Sequence, residues 1–164
     1  MKNETKGTIG ATISTASEAA AAFGAEVLGA KGEERVWVLP LDATGKALSG
    51  PAVVSVGREA DAKIDAGDVF RAAFGAGAEE IILAHNHPSG DLEPSKADME
   101  TTKRLREGAK LVGLVFLDHL ILGASGEGGA PVFTSLAEST DLFDDDESDG
   151  EAKKCAKRRP AQKI

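Results

Sequence analysis

Chemistry in this chain is densest between Glu80 and Asp98, in the run Glu-Ile-Ile-Leu-Ala-His-Asn-His-Pro-Ser-Gly-Asp-Leu-Glu-Pro-Ser-Lys-Ala-Asp. Two histidines, His85 and His87, stand at i and i+2, and the carboxylate of Asp98 follows. Imidazole nitrogens and carboxylate oxygens are ligands for a divalent metal. Three of them leave a fourth position for water, which is the ligand count of a catalytic zinc site. A lone histidine at a strand end is more often a packing or surface residue. A His-x-His pair, a Pro-Ser-Gly loop and an acid have no packing reason to gather where an apolar run stops. His85, His87 and Asp98 are therefore the candidate metal ligands, and Zn²⁺ the expected cofactor.

The flanking residues place these groups. Ile81-Ile82-Leu83-Ala84 has the length and β-branched character of a buried strand. Side chains at i and i+2 of a strand point the same way, so both imidazoles share a face. Pro88 disfavours the helical region for His87 and keeps it extended. Ser89-Gly90-Asp91 reads as a turn, and Pro94-Ser95 opens a helix. Ser95 and Asp98 have capping-box spacing, with Asp where Glu or Gln is usual, which puts Asp98 in the helix's first turn.

Other elements alternate around this stretch. Ser14 to Glu18 offers several helix caps, and the Ala-rich run to about Leu28 reads as one helix stopped near Gly29. Glu34–Leu41 reads as a strand whose Pro40 marks an edge or an end, followed by a turn at residues 42–45. A second strand region spans Lys46–Val56, and Gly57 begins a polar loop. Asp65 caps a helix to Phe74, with Val69, Phe70, Ala73 and Phe74 on one face. The helix from Ser95 reaches about Val112, with Met99, Leu105, Ala109 and Val112 on its apolar side. Leu114–Leu122 is an apolar strand interrupted by Asp118-His119, and a last strand lies near Val132-Phe133. The fold class is α/β, a mixed or mostly antiparallel sheet flanked by helices.

At 164 residues the chain suits one domain with a proper core. Residues 1–13 are read as a flexible arm, 14–140 as the domain and 141–164 as a disordered charged tail, acidic and then basic. Cys155 is the single cysteine, so it forms no internal disulfide. No apolar run approaches the ~20 residues of a membrane span, and the N-terminus lacks a signal-peptide pattern. A cytoplasmic protein without membrane contact is expected. The net charge of −8 removes the phosphate-neutralising term on which nucleic-acid binding depends. A protein or peptide substrate is favoured, and only the basic tail end suits nucleic acid.

His85-Asn86-His87-Pro88-Ser89-Gly90, continued by Pro94-Ser95-x-x-Asp98, resembles the metal motif of the JAB/MPN (JAMM) metalloprotease superfamily. Residues 82–90 and Leu117-Asp-His-Leu-Ile-Leu-Gly123 resemble its bacterial RadC-like branch. The likeness covers roughly residues 14–136 and implies a JAB/MPN (cytidine-deaminase-like) fold. It also implies a catalytic glutamate on the first strand, eight residues before the Asp that closes it; counting back from Asp42 gives Glu34. Glu33 competes for the role, but alternation puts Glu34 on the face of Val36 and Val38. The Pro-Arg-Glu usual before the middle helix of RadC-like chains is here Ala66-Gly67-Asp68. A helix-hairpin-helix segment such as often precedes the RadC domain is not evident.

The resemblance implies hydrolysis of a peptide or isopeptide bond by metal-activated water. Glu34 would be the general base, and Ser95 a hydrogen-bond donor to the oxyanion or simply a helix cap. Asp118 and His119 stand open between support for the site and a satisfied structural pair. Two other functions fit less well: a DNA-repair-associated RadC-like factor, and a non-catalytic protein-binding module, against which the complete ligand set counts.

Overall fold

The computed structural model describes residues 8–30, 32–57, 64–124 and 130–144. Strands β1 (Glu34–Leu41), β2 (Ala52–Gly57), β3 (Glu80–Asn86), β4 (Val115–Gly123) and β5 (Val132–Ser135) form one sheet in the order β2-β1-β3-β4-β5. β1 is antiparallel to both β2 and β3, and β4 is antiparallel to β5. β3 and β4 are parallel, which demands a crossover. Helix α4 (Lys96–Val112) supplies it. The sheet is mixed and flanked by helices, as expected.

Alternation along the strands builds two cores. Trp37, Leu39, Leu41, Ile82, Ala84, Leu120 and Leu122 face helices α1 (Ala16–Ala22) and α2 (Gly24–Ala30). Val36, Val38, Ile81, Leu83 and Phe116 face α3 (Ala66–Gly75) and α4. Burial of this apolar surface is the main stabilising term. A short helix, α5 (Leu136–Ser139), follows β5.

The one helix expected to Leu28 is two. Thr15 and Glu18 close a capping box over α1, and Phe23 ends it, its N–H bonded to Ala20. Fully buried Phe23 packs on Trp37 with ring centroids 6.5 Å apart. Gly24, a poor helix former, is where the chain restarts as α2. Pro40 lies in an interior strand, not on an edge. The ladder with β2 ends at Val38–Ala52, and the Pro40 carbonyl accepts from Leu48, so the missing N–H falls beyond that ladder. Only Ala52–Gly57 of the second strand region is strand. Phe74 and Val112, expected on apolar helix faces, are exposed.

The arm expected over residues 1–13 is pinned from Thr8 onward. Gly10 N–H bonds to Ala47, Ile13 N–H to Gly45, and Thr12 bridges Lys46. At the other end, Arg106 bonds the Leu142 carbonyl and lies over the Phe143 ring, which packs edge-on against Phe116. Residues 1–7 and 145–164 lie outside the described residues, as does most of the loop after Gly57. Among the described residues no helix is long and apolar enough to cross a membrane.

One irregularity matters for the site. Ile81 pairs with Phe116, but Ile82 pairs with Asp118, so Leu117 is the extra residue of a β-bulge. Counted from Phe116 without the bulge, Asp118 would face α4 and His119 would face α1. The extra residue exchanges them, because one step of register flips every side chain that follows. His119 consequently points the same way as His85, into the α3/α4 side.

Candidate metal centre

His85, His87 and Asp98 converge. His85 Nε2 and His87 Nε2 lie 3.0 Å apart. The Asp98 carboxylate meets both, Oδ1 at 3.3 Å from His85 Nε2 and Oδ2 at 3.1 Å from His87 Nε2. In tetrahedral zinc with bonds near 2.0–2.1 Å, neighbouring ligand atoms are about 3.3 Å apart. The three donors already stand near that spacing, so they fit a divalent metal of this size. His87 Nδ1 faces the Asp91 carbonyl at 2.9 Å. A carbonyl only accepts, so this nitrogen carries a proton and Nε2 is the one left to face a metal.

The start of α4 holds the acid. Ser95 is the N-cap, its Oγ accepting the Asp98 N–H at 3.1 Å, while Ser95 N–H donates to Asp98 Oδ2 at 2.8 Å. The capping box read from the sequence is present, with Asp98 closing it. Burial works to raise the Asp98 pKa. Hydrogen bonding and charge at His85, with the Ser95 groups, outweigh it and hold the carboxyl well below the usual carboxylate range.

Glu34 sits at the start of β1, 8% exposed, on the face of Val36 and Val38. One carboxylate oxygen lies with donor atoms of His85 and His87 in a group within 4.8 Å of one another. Two carboxylates thus flank the imidazoles. Asp98, at 3.1–3.3 Å from the imidazoles, and Glu34 are the two candidates for a third ligand. A cleft of about 630 Å³ opens here, lined by Glu34, His87, Ser95 and Asp98 among others.

Asn86, between the histidines, was not singled out from the sequence. Alternation turns it to the opposite face, where its Oδ1 accepts the Arg35 N–H at 2.9 Å and its Nδ2 donates to the Glu33 carbonyl at 2.8 Å. Backbone pairing of β1 with β3 ends at Val36–His85. The Asn86 amide continues it and ties down the chain on both sides of Glu34. The readable signal was an amide at the end of the strand, next to His85.

Beneath His85 the site continues inward. His119 Nε2 lies 2.7 Å from His85 Nδ1, and His119 Nδ1 lies 2.6 Å from Thr102 Oγ1, which donates to the Asp98 carbonyl at 2.7 Å. Both His119 and Thr102 are fully buried. Burial, followed by repulsion from His85, holds the His119 pKa well below 6.5, so its ring is neutral near pH 7. Asp118 faces away. It accepts from the His119 N–H, Ser135 Oγ and the Ala137 N–H, clamping β5 and the start of α5 against the bulge. The pair left open by the sequence therefore divides into an anchor and a site-facing ring.

A model of the RadC-like JAB domain family matches residues 13–140. The chain belongs to that family. A UPF0758 protein of Acaryochloris marina is 43% identical over 77% of this chain and 49% of its own length. Similar proteins from Carboxydothermus hydrogenoformans and a Cyanothece species are 44% and 38% identical, over 58% and 81% of this chain and 42% and 51% of theirs. The chain spans about half the length of the curated relatives it matches.

One departure from the RadC-like pattern has a structural counterpart. Gly67 stands where the resemblance leads one to expect arginine, and Asp65 caps α3 through the Gly67 and Asp68 N–H groups. Arg71, one turn on, pairs with Asp68 and lies beside Gly67, where an added Cβ would meet its guanidinium at 3.2 Å. A cation thus stands beside the position of the missing arginine.

Proposed function

We propose that this domain is a zinc-dependent hydrolase of the JAMM type that cleaves a peptide or isopeptide bond. The observation that carries this reading is the convergence of His85 Nε2, His87 Nε2 and the Asp98 carboxylate at 3.0–3.3 Å, with Glu34 beside them at the cleft. His85, His87 and Asp98 would hold the ion. Bound zinc supplies a Lewis acid that brings the pKa of a coordinated water from about 15.7 to about 7.

This chain's own residues do the rest. Glu34 takes the water's proton and returns it to the leaving amine, as one carboxylate can serve as base and then acid. Its burial beside the imidazoles keeps the carboxylate close to the reacting water. Ser95 Oγ accepts the Asp98 N–H, which leaves its own O–H to donate toward the oxyanion that forms on the scissile carbonyl. The open cleft leaves room for an extended peptide across Ser95 and His87.

The test is zinc content per chain by elemental analysis for the wild type and His87→Ala, followed by peptide and isopeptide hydrolysis with Glu34→Gln. The expected result is about one zinc per wild-type chain, its loss in His87→Ala, and zinc without turnover in Glu34→Gln. A wild type that takes up no zinc after it is added back ends this reading. Zinc binding with hydrolysis undiminished in Glu34→Gln removes Glu34 from the mechanism.

A further inference from the structure

We propose that His119 and Thr102 are positioning residues that hold a proton of His85 on Nδ1, so that Nε2 is the nitrogen presented to the metal site. The inference rests on the metal reading above and adds residues assigned to no role there.

The argument follows the proton of each hydrogen bond, starting from the end whose polarity is certain. The Asp98 carbonyl oxygen can only accept. A hydroxyl oxygen 2.7 Å from it needs its proton between the two, so the single proton of Thr102 is committed to Asp98. Thr102 Oγ1 then has only lone pairs to offer, and at 2.6 Å it must accept from His119 Nδ1–H. A fully buried ring without an acid against it stays uncharged, so His119 carries one proton and presents a lone pair at Nε2. That lone pair, 2.7 Å from His85 Nδ1, must accept the proton of His85. His85 Nδ1 is thus committed to His119, and Nε2, 3.3 Å from the Asp98 carboxylate, is the nitrogen left for a metal.

The chain of bonds starts and ends on Asp98, at its carbonyl and at its carboxylate. Its direction is set by an element of backbone that cannot reverse. Thr102 is one turn after Asp98 on α4, so the helix that presents the acid also dictates the tautomer of the histidine facing it. His87 reaches the same tautomer by the simpler route of the Asp91 carbonyl. Both imidazoles thus keep Nδ1 for a protein partner and turn Nε2 to one point. Partners of this kind orient metal-bound histidines and raise their basicity, and their loss typically costs 10–100-fold in metal affinity.

Thr102→Val removes the acceptor and keeps the shape. His119 then gains by moving its proton to Nε2, which donates to His85 Nδ1 and drives the His85 proton to Nε2, where the metal must displace it. Thr102→Ser restores the hydroxyl. His119→Gln places an amide oxygen where Nε2 was and preserves an acceptor for His85.

The experiment has two arms, each on the full chain. Ring ¹⁵N spectra of the metal-free protein report which nitrogen of each histidine is protonated, and the chain contains only three histidines. Competition with a chelator at constant pH gives the zinc Kd. The expected result is wild-type His119 protonated at Nδ1 alone, with His85 protonated at Nδ1. The Kd should rise about 10–100-fold in Thr102→Val and stay within about threefold of wild type in Thr102→Ser and His119→Gln. His119 protonated at Nε2 in the wild type would overturn the proposal. So would a folded Thr102→Val that binds zinc as tightly as the wild type. A wild type that binds no zinc refutes the metal reading instead, and the ring spectra still decide the direction of the relay.

Discussion

The two faces of the sheet are built from the same strands and come to different ends. On the α1/α2 side, Trp37, Leu39, Ile82, Ala84, Leu120 and Leu122 carry an apolar core from one strand to the next. On the α3/α4 side the aliphatic rows of Val36–Val38 and Ile81–Leu83 give way to Glu34, His85 and His119. Period-two alternation separates the two along β1 and β3, and the Leu117 bulge brings β4 into step, so each strand gives alternate residues to stability and the others to the site. The polar side is tolerable because its groups bond to one another. Each of His85, His119, Thr102 and Asp98 has a partner within 2.6–3.3 Å.

Substitutions on the two faces should therefore fail in different ways. The largest loss of stability is expected for Trp37→Ala, about 3–5 kcal/mol by denaturant unfolding, with zinc content per folded chain unchanged. Zinc lost along with stability would show that the faces are coupled. Asp118→Ala comes next, at about 3 kcal/mol. It strips the acceptor from the His119 N–H, the Ala137 N–H and Ser135 Oγ, all at or near the bulge.

Asn86→Ala should cost only about 1–2 kcal/mol, since it removes two hydrogen bonds at a strand end. Its sharper effect falls on turnover, because the backbone around Glu34 loses its tie while zinc is retained. Full hydrolysis in Asn86→Ala would show that β1 positions Glu34 unaided.

The most gradual effect is graded by pH and belongs to the metal-free protein. In the unfolded chain His119 takes a proton near pH 6.5, whereas the buried native ring stays neutral. The unfolded state then binds more protons, so stability falls as pH drops below about 6.5, by at most about 1.4 kcal/mol per pH unit. Asp98, ionised in the native state below its ordinary pKa, adds a second loss below about pH 4. His119→Gln should flatten the first decline in urea midpoints taken from pH 7 to 5 and leave the second.

Much of this arrangement was legible in local pattern. Glu34–Leu41, the Asp65 cap and the Ser95–Asp98 capping box lie where propensity and spacing put them, because each is decided by residues a few positions apart. Glu34 needed the family resemblance, since a glutamate at a strand start has no local mark of function. The inner half of the site was legible only as an open question, the polar pair Asp118-His119 in an apolar strand. His119 faces His85 only because β4 pairs parallel to β3 and absorbs Leu117 in a bulge, and neither leaves a sequence signal. Thr102 did leave one, a polar residue in the stripe of Asp98, Leu105 and Ala109, but it read as an ordinary helix position. Phe74 and Val112 misled because helical spacing predicts a shared face without showing what covers it.

Asp98 gives the centre a reach beyond its own chemistry. The carboxylate facing both imidazoles also closes the capping box that begins the crossover helix. Filling the centre and seating that helix are consequently linked equilibria. A cation at a hundred times its Kd adds about 2.7 kcal/mol to the native state. Part of that gain should surface as slower amide hydrogen exchange across residues 95–99, so the backbone there would report occupancy without any substrate.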